Sequence, residues 1–141
     1  MSSSAAVGVL LGSIFALLSV LHILWALGWR PGLSVALPEV SGKPAFTPSR
    51  AMTLAVAAGL ALASWTVLAQ GGLVGAPLPP SAVRLACKFL GILFILRAIG
   101  EGRLVGFFKK IQDTRFAKWD TFLFSPLCLI LGAGTLWLAG T

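Results

Sequence analysis

Charge is what this sequence has least of. Charged residues make up 11% of its 141 positions, only four of them acidic, and 57% of the chain is hydrophobic. A soluble domain is about a quarter charged and under half apolar, so an ordinary water-soluble fold is excluded. A single histidine excludes the usual zinc sites, because the remaining ligands would have to be scattered carboxylates. The two cysteines, Cys87 and Cys128, form no CxxC pair. Their depths along neighbouring helices would differ by ~9 Å at 1.5 Å per residue, beyond the ~7 Å between Cα atoms that a disulfide spans. They are read as small apolar core residues. No Gly-rich phosphate loop, nucleophile elbow or paired-carboxylate motif is present, so neither metal nor cofactor is expected and nothing points to catalysis.

What the sequence does have is long apolar blocks, which give it a mean hydropathy of +0.95. Each block approaches the ~20 residues that carry a helix across the hydrocarbon of a bilayer. The reading is an all-α, integral membrane four-helix bundle in one domain, with spans at about 5–28, 50–69, 81–100 and 121–140. The first apolar run is too long, and its leader too poor in positive charge, for a cleaved signal, so it is read as a retained span. It ends in Gly28-Trp29-Arg30-Pro31-Gly32, a helix stop with an interfacial Trp and a dipole-matched Arg. The loop that follows holds Pro38, Gly42, Pro44 and Pro48, too much proline for regular helix, and Ser41-Gly42-Lys43-Pro44 reads as a turn. Thr47 is expected to cap the second span with Pro48 at its first position.

The net charge of +7 could suggest nucleic acid, but no recognition motif accompanies it, and spans beside cations explain it better. Arg30, Lys43 and Arg50 flank the first long loop, and Arg103, Lys109, Lys110, Arg115 and Lys118 the second, while the connection from Gln70 to Pro80 has no cation. Both basic loops are therefore expected in the cytoplasm and both termini outside, with Arg84 and Lys88 weakening the contrast. Trp29, Arg30, Phe107, Phe108, Lys109, Lys110, Arg115 and Trp119 interleave aromatic rings with cations and are expected in the headgroup region, so the expected partner is a bilayer with anionic headgroups. A membrane protein or a second copy of the chain is a further expected partner. Small residues recur every fourth position at Gly8, Gly12 and Ala16 and at Ala51, Ala55, Gly59 and Ala63. The second stripe, through Ala55, Gly59 and Ala63, is expected to be a helix-packing face.

One group of residues could carry chemistry. His22 lies about six residues inside the first span with Trp25 on the same face, and an ionisable group at that depth invites a functional partner. Arg97, Glu101 and Asp120 fall at the same level of the bundle. Arg97 and Glu101 are spaced to pair along one helix. Asp120 is expected to cap the fourth helix and to pair with Arg97 or Arg115, its loss costing ~1 kcal/mol while Asp113→Ala costs little. Two functions are weighed. The first is a non-enzymatic role in contact with lipid, a partner or itself. The alternative is a small transporter or membrane-embedded enzyme for an amphiphile, in which Arg97 holds an anionic head and His22 exchanges protons. The same charges could instead be interfacial anchors.

Longer motifs add a resemblance. Leu21-His22-Ile23-Leu24-Trp25-Ala26-Leu27-Gly28, Gly42-Lys43-Pro44-Ala45-Phe46-Thr47-Pro48-Ser49 and Ile95-Leu96-Arg97-Ala98-Ile99-Gly100 resemble the small bacterial membrane proteins of domain-of-unknown-function family 3995. The similarity continues through Gly106-Phe107-Phe108-Lys109-Lys110, Thr114-Arg115-Phe116-Ala117 and Asp120-Thr121 to Ser125-Pro126-Leu127-Cys128, and so covers nearly the whole chain. Trp29 stands where the family has a second glycine, and Glu101-Gly102 where it has an Asp-aromatic pair. The resemblance implies a four-helix bacterial membrane protein and supplies no reaction; with the spans and basic loops, the expected location is the bacterial cytoplasmic (inner) membrane.

Overall fold

A computed structural model describes all residues from Met1 to Thr141. It is all-helical apart from one small hairpin. The order is α1 (Ser3–Ala26), α2 (Leu33–Ala36), β1 (Glu39–Val40), β2 (Lys43–Pro44), α3 (Arg50–Gln70), α4 (Pro80–Ile99), α5 (Arg115–Trp119), a π-helical turn (Asp120–Phe124) and α6 (Ser125–Gly140). In the hairpin, Glu39 pairs with Pro44 and Val40 with Lys43. Its two turn residues, Ser41 and Gly42, have φ of 53° and 75°, the positive values that a two-residue turn needs to match strand twist.

Three helices are long and apolar enough to cross a membrane: Ser3–Ala26, Arg50–Gln70 and the continuous Arg115–Gly140. α4 has the length, but Arg84, Lys88 and Arg97 set it apart by composition. Capping chemistry sets the helix starts. Ser49, not Thr47, caps α3 by accepting from Met52 N–H at 3.1 Å, which leaves Pro48 outside the helix. The last helix begins six residues before the apolar run at 121, because Thr114 accepts from Ala117 N–H at 3.0 Å. Asp120 is therefore not a cap; it lies more than a turn inside.

The four long helices form two close pairs, α1 with α3 and α4 with α6. Glycine permits each approach. A Cβ on Gly8 would lie 3.3 Å from Gly71 Cα, and one on Gly12 2.7 Å from Leu68 Cγ. The Ser64 hydroxyl seals that pair by donating to Gly12 C=O at 2.7 Å, as does Ser19 to Ala57 C=O at 2.7 Å. In the second pair a Cβ on Gly91 would sit 3.0 Å from Gly132 O and 2.5 Å from Leu136 Cγ. The stripe expected to pack does not do so within the chain. Ala55 and Gly59 are exposed, a Cβ on Gly59 would meet nothing within 4 Å, and only Ala63 is buried. Spacing identifies a helix face but not the direction in which it points, and α3 turns Ala57, Ala63, Ser64 and Val67 inward instead. Gly91→Ala is accordingly expected to cost about 1–3 kcal/mol by overpacking, whereas Gly59→Leu leaves the melting temperature in detergent unchanged. A stability loss at Gly59 as large as that at Gly91 would contradict this packing.

The two pairs meet around a core of Leu11, Phe15, Ala63, Val67, Cys87, Leu131, Leu138 and Ala139. Phe15 and Phe94 touch edge to face at 5.1 Å across it. Two hydrogen bonds cross between the pairs, from Cys87 Sγ to Thr66 O at 3.8 Å and from Gln70 Nε2 to Leu138 O at 3.4 Å. Both lie toward the Gln70 end. Both cysteines are free.

Candidate functional site

At the opposite end of the long helices the chain gathers its buried charge on Asp120, which is fully buried. Pro126 removes a backbone donor, and its ring would crowd the carbonyl four residues earlier, so an α-helix cannot pass through unaltered. The helix widens there into the π turn, in which Ser125 N–H bonds to Asp120 C=O. Widening puts Ser125, five residues on, beside Asp120, and its hydroxyl donates to Asp120 Oδ2 at 3.1 Å. Arg97 Nη2 on α4 donates to Oδ1 at 2.8 Å. Lys109 Nζ reaches Oδ2 at 3.1 Å, and Gly106 N–H donates to the same oxygen at 2.8 Å.

The loop from Gly100 to Lys109 makes these contacts feasible. Gly100 and Gly106, with φ of 84° and 87°, lie so close that either would lose its place to a Cβ. Phe107 N–H then donates to Ala98 C=O at 2.8 Å, meeting a carbonyl that the end of α4 leaves free. Folding the loop back turns Lys109 inward, where Nζ also bonds Gly106 C=O at 2.9 Å and Thr121 Oγ1 at 2.6 Å. This corrects the headgroup placement of Lys109, which is 2% exposed: three acceptors in reach replace its water. The other interfacial candidates, Trp29, Arg30, Phe107, Phe108, Lys110, Arg115 and Trp119, are exposed.

Glu101 does not join the cluster. α4 ends at Ile99 and Gly100 reverses the chain, so the spacing that would pair Glu101 with Arg97 on a helix no longer applies. Its carboxylate instead accepts from the N–H groups of Leu104, Arg103 (3.1 Å) and Val105 (3.2 Å). Those bonds, Leu104's first, hold its pKa below the usual carboxylate range. His22 bonds its own helix, with Nδ1 2.7 Å from Leu18 O, and packs edge to face on Trp25 at 5.0 Å. Trp25 in turn donates from Nε1 to Pro31 C=O at 2.9 Å and so ties down the loop after α1. Arg50 Nε supplies the end of α1 with a donor at Ala26 C=O, 2.8 Å away.

His22, Trp25 and Arg97 are brought together by a cavity of about 490 Å³. It begins where the core ends. α1 lines it with Leu18, Leu21, His22 and Trp25, α3 with Met52, Thr53, Val56 and Leu60, α4 with Phe94 and Arg97, and the last helix with Phe124, Leu127 and Cys128. Leu33, Ala36 and Leu37 around α2 cover its loop end, and Phe46 and Pro48 complete it. The exposed members are Phe46, Met52 and Val56, so the mouth lies on the flank of α3. Asp120 and Lys109 stand behind Arg97 and do not line the cavity.

Sequence reasoning places Lys109 in the headgroup region and assigns neither Gly106 nor Ser125 nor most of the cavity's apolar wall to the site. The glycines at 100 and 106, six apart around a polar loop, are the signal that could have indicated a fold-back. No group of His, Cys, Asp and Glu side chains is placed to hold a metal ion. Comparison with curated proteins and with solved structures yields no match. The profile of DUF3995, proteins of unknown function, matches residues 15–135, and the chain belongs to that family.

Proposed function

We propose that the chain crosses the bacterial cytoplasmic membrane four times, with its termini outside, and that it binds an amphiphile non-enzymatically in the cavity between its two helix pairs. For α4 the support is its outer face: Leu85, Phe89, Ile92 and Leu96 are exposed, a surface that suits lipid better than water. Arg84 and Lys88 lie in the first turns of α4, near enough to its end to extend their charges toward the headgroups. The excess of cations on the two long loops supports their cytoplasmic placement.

The observation that carries the functional reading is the cavity. Its volume is in the range of small-molecule sites, and a mostly apolar wall with few polar groups is the usual make-up of such sites. Fourteen of its 18 lining residues are hydrophobic, and the exceptions are His22, Pro48, Thr53 and Arg97. A mouth on the flank of α3 would open toward bilayer, not toward water, which favours a ligand dissolved in lipid. Native mass spectrometry of gently extracted protein is expected to show one retained amphiphile. Leu60→Trp, which fills the cavity with an indole, should remove it. Protein that carries no such mass, or a variant that retains it undiminished, would end this reading.

A further inference from the structure

Arg97, which lines the cavity, belongs to a network with a charge imbalance. The chain has four acidic side chains, and three are occupied elsewhere: Glu39 sits in the hairpin, Glu101 closes its own loop and Asp113 is exposed. None of these lines the cavity. Asp120 alone serves both Arg97 and Lys109. Two cations on one carboxylate leave one positive charge in excess.

That excess falls on Arg97. Lys109 meets three acceptors, and Asp120 Oδ2 meets three donors, so neither has capacity to spare. A guanidinium offers five N–H groups, and here only Nη2 finds an acceptor, while Nη1 is buried with none. Leaving a buried donor unmatched is costly, and the guanidinium as a whole keeps N–H capacity for a further acceptor. Arg97 is also the one member of the network that lines the cavity, and 33% of its side chain remains accessible. We infer that the amphiphile is anionic, with a carboxylate or phosphate head on Arg97 and its apolar chain among Leu21, Leu60, Phe94 and Leu127. This rests on the reading of the cavity as an amphiphile site and specifies the head. A neutral head would leave the charge unbalanced, and a cationic head would add to it.

The test uses the whole purified protein in a non-ionic detergent, titrated with dodecanoate, dodecyl phosphate, dodecanol and dodecyltrimethylammonium. At least one of the anions should bind about tenfold or more tightly than dodecanol, the factor that one charge-assisted hydrogen bond supplies. The ammonium compound should not compete. Whichever anion binds better assigns the source, a fatty acid or a phosphoryl lipid. Arg97→Gln should reduce the anion to the affinity of the alcohol, and Arg97→Lys should restore part of the preference. If Arg97→Gln does not fold, the probe series on the unmodified chain decides. Equal binding of dodecanol and both anions, all lost in Leu60→Trp, would overturn the anionic head while the cavity remained an amphiphile site. Binding of no probe, or binding indifferent to Leu60→Trp, would overturn both.

Discussion

Asp120→Ala is expected to be among the most destabilising single substitutions in the chain, costing about 3–5 kcal/mol, the range for removing one partner of a buried ion pair. The reason is what it leaves behind. Arg97 loses its only acceptor, Lys109 keeps a buried ammonium without a counter-charge, and Gly106 N–H and the Ser125 hydroxyl lose theirs. That exceeds the ~1 kcal/mol of a lost helix cap, the role that Thr114 fills instead. Asp113→Ala, at an exposed loop position, should stay within ~0.5 kcal/mol. Lys109→Met should cost much less than Asp120→Ala, because Asp120 keeps Arg97 and two neutral donors. Reversible unfolding in mixed micelles reads all three. Equal losses from Asp120→Ala and Asp113→Ala would show that the carboxylate organises nothing.

The second large effect is expected at Gly106→Ala. Its φ of +87° disfavours any Cβ by about 1–2 kcal/mol. That Cβ would also run into Ile99 O and the backbone of Gly100, main-chain atoms that cannot rotate away as a side-chain tip can. With overpacking of about 1–3 kcal/mol added, the expected cost is about 2–5 kcal/mol. Gly102 provides the control. It has a similar φ of +86° but open space around it, so Gly102→Ala should show the conformational penalty alone. If the two alanines melt at the same temperature, the close contact of Gly100 with Gly106 is not what holds the loop in place.

Apolar runs locate α1, α3 and α4 to within two residues at each end, because a run of ~20 apolar residues with Gly or Pro at its ends has few other forms to take. The same signal places the last helix six residues late, since hydropathy detects Thr121 onward but not the Thr114 cap, and it is silent on the π turn. The site divides the same way. Arg97 and Asp120 are visible because charges are rare in an apolar chain. Lys109 is hidden in the pair Lys109-Lys110, and only the turn at Gly100 and Gly106 sends one inward and leaves the other exposed. That same turn removes Glu101 from the helix whose period would pair it with Arg97. Small-residue spacing is similarly incomplete: Gly8 and Gly12 touch a neighbour, while Ala55 and Gly59, with the same interval, face outward.

The arrangement in two pairs has a mechanical consequence. Each pair is locked internally, by glycine contacts at α1/α3 and α4/α6 and by buried polar bonds, yet both hydrogen bonds between the pairs lie near the Gln70 end. At the Arg97 end no hydrogen bond or salt bridge joins them, and packing contact of this kind lets surfaces slide without breaking a hydrogen bond. The arrangement is that of a clothes-peg, in which parting of the two pairs is expected to pivot at the Gln70 end. Such a motion would widen the cavity while leaving the Arg97–Asp120–Lys109 cluster intact, because that cluster belongs wholly to one jaw.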